Sequence, residues 1–306
     1  MRMLPENMAI GIFLSLQNAL GILGNSLILC HYVFLVFTRK NLMPKDLIIR
    51  HLAFANFFLI ISKGIPQTIS EFGLEYFLDD MGCKLVMYIY RVSRGVSLHT
   101  MGLLSCFQAL TISPSNTRWG NLRYSATKHM SPSCLLSWLL HLLLNAVTPA
   151  RVAAPSYHKN GTNTGDYGYC SWFHSGTMAT ILYMAVLCMS DGLCLALMAY
   201  SSVTMVNILY RHRRQVKYIQ TAQPSPRVSP VARATQAILI LVCTFVSCYF
   251  VSSIFLVFMT YSNGPRRRAI NMATIIEICF PTLCPFILIS NNNSATRLFL
   301  PTSRRR

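Results

Sequence analysis

The chain has 306 residues, of which 53% are hydrophobic and only 12% charged, and it carries a net charge of +18. That balance excludes a soluble enzyme and points to a protein embedded in lipid. The basic excess does not indicate nucleic acid, because Lys and Arg are spread over short connections between apolar runs instead of forming one basic surface.

Seven apolar segments follow one another: 8–37, 46–69, 83–112, 133–152, 175–210, 233–260 and 269–290. At about 1.5 Å per residue each is long enough to cross a hydrocarbon core of about 30 Å as a helix. A lipid-spanning backbone must satisfy its own hydrogen bonds, and these runs far exceed the roughly ten-residue strands of a membrane barrel. The expected fold is an all-α membrane protein, one domain over 1–306 built as a seven-transmembrane helix bundle. The first run starts after a short head and is too long for a signal-peptide core of about 7 to 15 residues, so it is expected to act as a signal anchor. With a short head and tail, sensing or transport is expected to fall to the bundle and its loops.

The connections set the expected orientation through the positive-inside rule. Basic residues fill the first, second and third inner loops (Arg39, Lys40, Lys45; Arg118, Arg123, Lys128; Arg211, Arg213, Arg214, Lys217, Arg227, Arg233) and the tail (Arg297, Arg304 to Arg306). The other side holds Arg2, Lys159 and Arg266 to Arg268, and with them Glu6, Glu71, Glu75, Asp79, Asp80 and Asp166. The N-terminus is therefore expected outside and the C-terminus in the cytoplasm. The basic fringe would meet anionic lipid headgroups and any acidic partner protein.

Of the eleven cysteines, all but Cys83 and Cys170 lie in spans, where a thiol acts as a small hydrophobe. Cys83, at the outer end of the third span, and Cys170, in the second outer loop, sit where oxidation is expected. A disulfide would pin that loop over the bundle mouth; the alternative is two free thiols. The same loop carries Asn160-Gly161-Thr162, a glycosylation sequon on the expected outer side. Asn292-Asn293-Ser294 also matches but falls on the inner side.

Charges inside the spans are costly and mark function or pairing. Arg50 can snorkel at the inner end of the second span, and Lys63 lies toward its outer end. Arg91 and Arg94 lie about 12 and 16 Å below Cys83, on one face of the third helix, with Met87 and Tyr90 beside them. Asp191 sits mid-way along the fifth span and Glu277 about 12 Å inside the seventh. Two readings stay open: an Arg pairs with Asp191 or Glu277 to hold helices together, or an Arg faces an outward cavity and offers its fork of donors to an anionic or carbonyl-bearing ligand. Asn25 and Asn56 are expected to tie the first two helices together or to bond backbone carbonyls. Pro281 and Pro285 are expected to bend the seventh helix.

No cofactor or metal is expected, since the eight His residues are dispersed and no acid, His or Cys cluster has catalytic or metal spacing. His51, His99 and His141 read as packing residues. The absence of Lys from the seventh span excludes a retinal Schiff base. A transporter or channel is the reading from another class, disfavoured by the lack of an internal repeat and the odd number of spans.

Several stretches resemble the vomeronasal type-1 receptors. These are Gly21-Ile22-Leu23-Gly24-Asn25, His51-Leu52-Ala53-Phe54-Ala55-Asn56, Arg91-Val92-Ser93-Arg94-Gly95, Leu103 to Ala109, Thr111-Ile112-Ser113-Pro114, Trp119, Tyr210 to Arg213 with Gln215-Val216, Ser229-Pro230 through Arg233-Ala234-Thr235, and Pro285 to Ile289. The resemblance spans essentially the whole chain. It implies a G-protein-coupled receptor of the plasma membrane, detecting small-molecule pheromones and coupled to an inhibitory-type heterotrimeric G protein. From the buried charges, Met87, Tyr90, Arg91, Arg94 and Glu277 are the candidate ligand contacts, and from the basic cytoplasmic ends Arg123, Arg211, His212, Arg213, Arg214 and Arg233 are expected to face the G protein. Bitter-taste receptors share the size and short ends, but the Cys83 and Cys170 pair favours the vomeronasal side. Common rhodopsin-type features are missing: Thr111-Ile112-Ser113 replaces Asp-Arg-Tyr, and the seventh span has no Asn-Pro-x-x-Tyr. Within the family pattern, His99-Thr100-Met101 replaces a Thr-rich stretch, and Pro281-Thr282-Leu283-Cys284 stands where a Ser would precede Pro285.

Overall fold

A computed structural model describes residues 5–38, 43–74, 77–113, 117–154, 164–167, 169–173, 178–219, 230–261 and 266–291. Seven long helices carry the apolar runs: α1 (Pro5–Phe37), α2 (Pro44–Glu71), α3 (Asp80–Ile112), α4 (Thr117–Leu144), α5 (Met178–Ile219), α6 (Pro230–Tyr261) and α7 (Arg266–Asn291). Each contains a stretch long and apolar enough to cross a membrane.

The helices outrun the apolar segments, because a polar extension remains helical without touching lipid. The fourth span was expected at 133–152. Helix α4 instead starts at Thr117 and stops at Leu144, followed by a 3₁₀ turn, Thr148–Arg151. Beyond that turn the connection from α4 to α5 adds to the all-helical plan a three-stranded antiparallel sheet, with β1 (Val152–Ala153), β2 (Thr164–Asp166) and β3 (Ser171–Phe173) in the order β1-β3-β2. Trp172 stands opposite both Val152 and Gly165.

Helix α3 is the most enclosed and α5 the least. The main core joins Leu52 of α2, Leu98, Met101 and Leu104 of α3, Met198 and Met205 of α5, Leu241 and Phe245 of α6, and Phe280 of α7. Large apolar side chains such as Leu16, Leu20, Leu139, Leu143, Leu182, Met189, Leu193 and Phe250 point away from this core and stay exposed. Such a shell is stable only when hydrocarbon surrounds it.

Polar residues tie the helices at chosen points, and of the two alternatives Asn25 takes the bond to backbone carbonyls. Asn25 joins α1 to α7, not to α2: its Nδ2 donates to the Pro281 carbonyl at 2.9 Å and to the Gly21 carbonyl at 2.8 Å. The reason is local. Pro285 has no N–H to give the carbonyl four residues earlier, so the Pro281 oxygen is free for a donor from α1. Asn56 joins α2 to α3, accepting from Ser97 Oγ at 2.8 Å. In the same way His51 accepts from Trp138 Nε1 at 3.2 Å and ties α2 to α4.

Candidate functional site

A disulfide joins Cys83, near the start of α3, to Cys170, beside β3. It presses the sheet onto one end of the bundle, where Tyr169 and Cys170 are buried against Cys83, Met87 and Tyr90. Tyr167 N–H donates to the Cys170 carbonyl at 3.0 Å, closing the turn that enters β3. Burial pushes the Tyr169 phenol well above the usual tyrosine range, so it stays protonated at any physiological pH.

Beneath this lid the charged side chains form a chain of contacts across four helices. Glu277 Oε1 of α7 accepts from Tyr90 OH at 2.7 Å and lies 3.0 Å from Arg94 Nε, both on α3. The Arg94 guanidinium lies over the ring of Tyr249 on α6, 4.7 Å from its centroid. Tyr249 OH in turn donates to Asp191 Oδ2 of α5 at 2.5 Å. The side chains of Arg94 and Glu277 are only 20% and 11% exposed, so their attraction is little screened.

Arg91 and Arg94 differ in their partners. Arg94 is the paired one. Arg91 makes no hydrogen bond or ion pair among the described residues and lines a cavity of about 240 Å³. The walls of that cavity also include Tyr90, Arg94, His141, Asn145, Tyr167, Asp191 and Tyr249. Gly95 keeps the cavity floor close-packed: a Cβ there would lie 2.2 Å from His141 Nδ1. Of the other expected contacts, Met87 is packed under the disulfide instead of on this wall, and Glu277 borders a smaller void of about 30 Å³ with Arg94 and Tyr249.

Tyr249, Tyr167, His141 and Asn145 were not singled out as cavity residues from the sequence. Tyr249 carried no signal of its own, since an aromatic in an apolar span is ordinary. Tyr167 sits three residues before Cys170, and that spacing was the available clue.

At the same end, Arg267 of α7 grips the end of α2. Its Nε lies 3.2 Å from Glu71 Oε1 and its Nη2 donates to the Ser70 carbonyl at 2.9 Å. Gln67 reinforces the contact by donating to Asn271 Oδ1 at 2.8 Å.

The opposite end gathers the expected G-protein-facing residues, because α3 runs away from the disulfide and its successors alternate. Arg123 of α4, Arg211, His212 and Arg214 of α5, and Arg233 of α6 are all exposed there. Between α1, α2, α3, α6 and α7 this end holds a cavity of about 120 Å³ whose lining includes Ile49, Leu104, Gln108, Ala237 and Leu288. Gln108 Nε2 donates to Thr235 Oγ1 at 3.2 Å across it, joining α3 to α6. Asn160 and the side chain of Arg213 lie outside the described residues. So do the side chains of Arg2, Glu6, Arg39, Lys40, Glu75, Arg118, Trp119, Lys159, Asp166, Lys217, Arg227, Arg266, Arg297 and Arg304 to Arg306.

Among solved structures, the crystal structure of squid rhodopsin superimposes with a TM-score of 0.72 at 16% identity, covering 99% of this chain and 87% of that one. That likeness shows the class of fold, a bundle of seven membrane helices. The family described as "Vomeronasal organ pheromone receptor family" matches residues 8–300. The chain is 43% identical to human vomeronasal type-1 receptor 4 over 295 residues, 96% of this chain and 98% of that protein. It is 42% identical to human vomeronasal type-1 receptor 3 over 297 residues, 97% and 95% of the two chains. Olfactory receptor class A-like protein 1 of Danio rerio is 30% identical over 301 residues, 96% and 93% of the two chains. The chain belongs to the vomeronasal type-1 receptor family.

Proposed function

We propose that the chain detects a small-molecule, pheromone-like ligand in the Arg91 cavity and signals through a heterotrimeric G protein of the inhibitory type. The disulfide-bearing end faces outside, with the N-terminus, and the C-terminus is cytoplasmic. All of 1–306 acts as one seven-helix domain. Asn160, on the outer side, is glycosylated. The observation that carries this reading is the pairing pattern: Arg94 is bound to Glu277 while Arg91, one turn away, lines the cavity with no hydrogen-bond or ion-pair partner among the described residues.

The mechanism follows from where the cavity sits. A ligand changes an equilibrium only by its difference in affinity for two helix packings. Contacts to Arg91, Tyr90 or Tyr249 bear directly on the Tyr90–Glu277–Arg94–Tyr249–Asp191 chain, which joins α3, α5, α6 and α7. A shift of α6 or α7 would act at the far end on the Gln108–Thr235 clasp and open a cleft for the G protein among the cytoplasmic ends that carry Arg123, Arg211, His212, Arg213, Arg214 and Arg233. These cations suit an acidic G-protein surface and anionic headgroups.

The test is G-protein activation in cells expressing the tagged chain, with surface staining as control, against small volatiles, steroids and their anionic conjugates. A ligand-dependent signal that pertussis toxin removes supports the reading. A signal insensitive to the toxin contradicts the inhibitory-type partner, and ligand responses that persist equally in untransfected cells contradict the receptor reading.

A further inference from the structure

Lys63 is the buried charge that the contact chain does not use. It lies in a π turn, Ile60–Gly64, that interrupts α2 just before Pro66. Pro66 has no N–H for the helix ladder, and the extra residue of a π turn re-aims the side chains around it. Gly64 presses this turn against α1: a Cβ there would lie 2.1 Å from Asn18 Oδ1. The turn is thereby fixed with Lys63 inward, 3% exposed.

Among the described residues the Lys63 ammonium makes no hydrogen bond and no ion pair. Its neighbours are ring faces, with the centroid of Tyr167 at 3.9 Å and that of Tyr90 at 5.4 Å. Glu277 acts on Lys63 electrostatically, but its Oε1 already serves Tyr90 and Arg94; Arg91 and Arg94 oppose Lys63 with like charge. Asp191 is occupied by Tyr249. Among the described residues two cations, Lys63 and Arg91, thus have no hydrogen-bonded carboxylate; Lys63 lies against the rings of Tyr90 and Tyr167, and Arg91 shares a cavity wall with them. Those two tyrosines line the cavity as well.

Resting on the reading of that cavity as the ligand site, we infer that Lys63 is its specificity-determining cation. With Arg91 it receives the oxyanion group, carboxylate or sulfonate-like, of a small ligand whose apolar body fills the cavity. Tyr167 covers Lys63 and moves aside on binding. A ring face is a weaker partner for a desolvated ammonium than an anion is, so the exchange favours a charged ligand over its neutral analogue.

The test uses the full-length receptor in nanodiscs of zwitterionic lipid, reading the thermal unfolding midpoint with sodium benzoate, sodium benzenesulfonate or benzamide at constant ionic strength. Either anion is expected to raise the midpoint saturably while benzamide does not, and the better of the two identifies the oxyanion class. Lys63→Gln is expected to weaken the apparent anion affinity at least tenfold without lowering the midpoint of the empty protein. Lys63→Arg is expected to retain it. Equal stabilisation by benzamide, no saturable shift with either anion, or an affinity in Lys63→Gln within twofold of wild type would overturn the inference. So would a large loss of stability in empty Lys63→Gln, which would make Lys63 a structural partner. No G protein enters the measurement, so a failure to signal is distinguished from a failure to bind.

Discussion

Replacing Glu277 by Gln would leave the Arg94 guanidinium buried in the bundle without its carboxylate. Removing one partner of a buried pair costs roughly 3–5 kcal/mol, most of it the penalty of the orphaned charge. Both side chains are less than a quarter exposed, so little of that is relieved by solvent. The Tyr90 hydroxyl also loses a charged acceptor at 2.7 Å, a contact of a kind worth about 1.5–3 kcal/mol. These figures overlap because they share one oxygen, and the expected loss for Glu277→Gln is about 3–5 kcal/mol in all. The double variant Arg94→Gln/Glu277→Gln removes both charges and is expected to regain more than half of it. Arg91→Gln, with no partner to orphan among the described residues, is expected to stay within about 0.5 kcal/mol of wild type. The assay is the unfolding midpoint of the purified receptor together with the fraction of chain at the cell surface. Equal losses for Arg91→Gln and Arg94→Gln, or a double variant as weak as the sum of its singles, would refute the assignment of Arg94 as paired and Arg91 as free.

Three further outcomes are expected. Cys170→Ser should destabilise the receptor by about 4–5 kcal/mol, from release of a loop closed across 87 residues, and should sharply reduce surface staining; staining at the wild-type level would contradict a lid held by that bond. Gln108→Leu should free α6 from α3 and raise ligand-independent G-protein activity roughly two- to tenfold, the population shift matching a hydrogen bond of about 0.5–1.5 kcal/mol. Unchanged basal activity at equal surface density would show that the clasp does not hold the resting state. Asn160→Gln should abolish a glycosidase-sensitive mobility shift in the expressed chain, and a shift that survives would contradict the glycan assignment.

The seven spans were legible because hydropathy reports contact with lipid. For the same reason the sequence missed the start of α4, where residues 117–132 are helical but polar, and the early end at Leu144. The pairing of Cys83 with Cys170 was legible from placement alone, since the other cysteines lie in spans. Partners across helices were not. Arg91 and Arg94 share a face of α3, and which one meets Glu277 depends on the rotation of α7, a tertiary property that no local pattern encodes. Asn25 illustrates the same limit with a twist: its partner is a carbonyl released by Pro285, so the two signals were visible separately but not as one contact. The π turn that aims Lys63 inward left only Pro66 as its trace, and a proline near a helix end is usually unremarked.

Arg91 lines the cavity with no hydrogen-bond or ion-pair partner among the described residues, and the proposed ligand site depends on it most. Its most direct test is the dose–response of a G-protein-activating ligand on Arg91→Gln and wild type at matched surface density. Loss of a charged hydrogen bond worth about 1.5–3 kcal/mol predicts a half-maximal concentration raised roughly ten- to hundredfold with the maximal response retained. An unchanged half-maximal concentration would contradict the account, because the ligand would then be bound without the residue that defines the site.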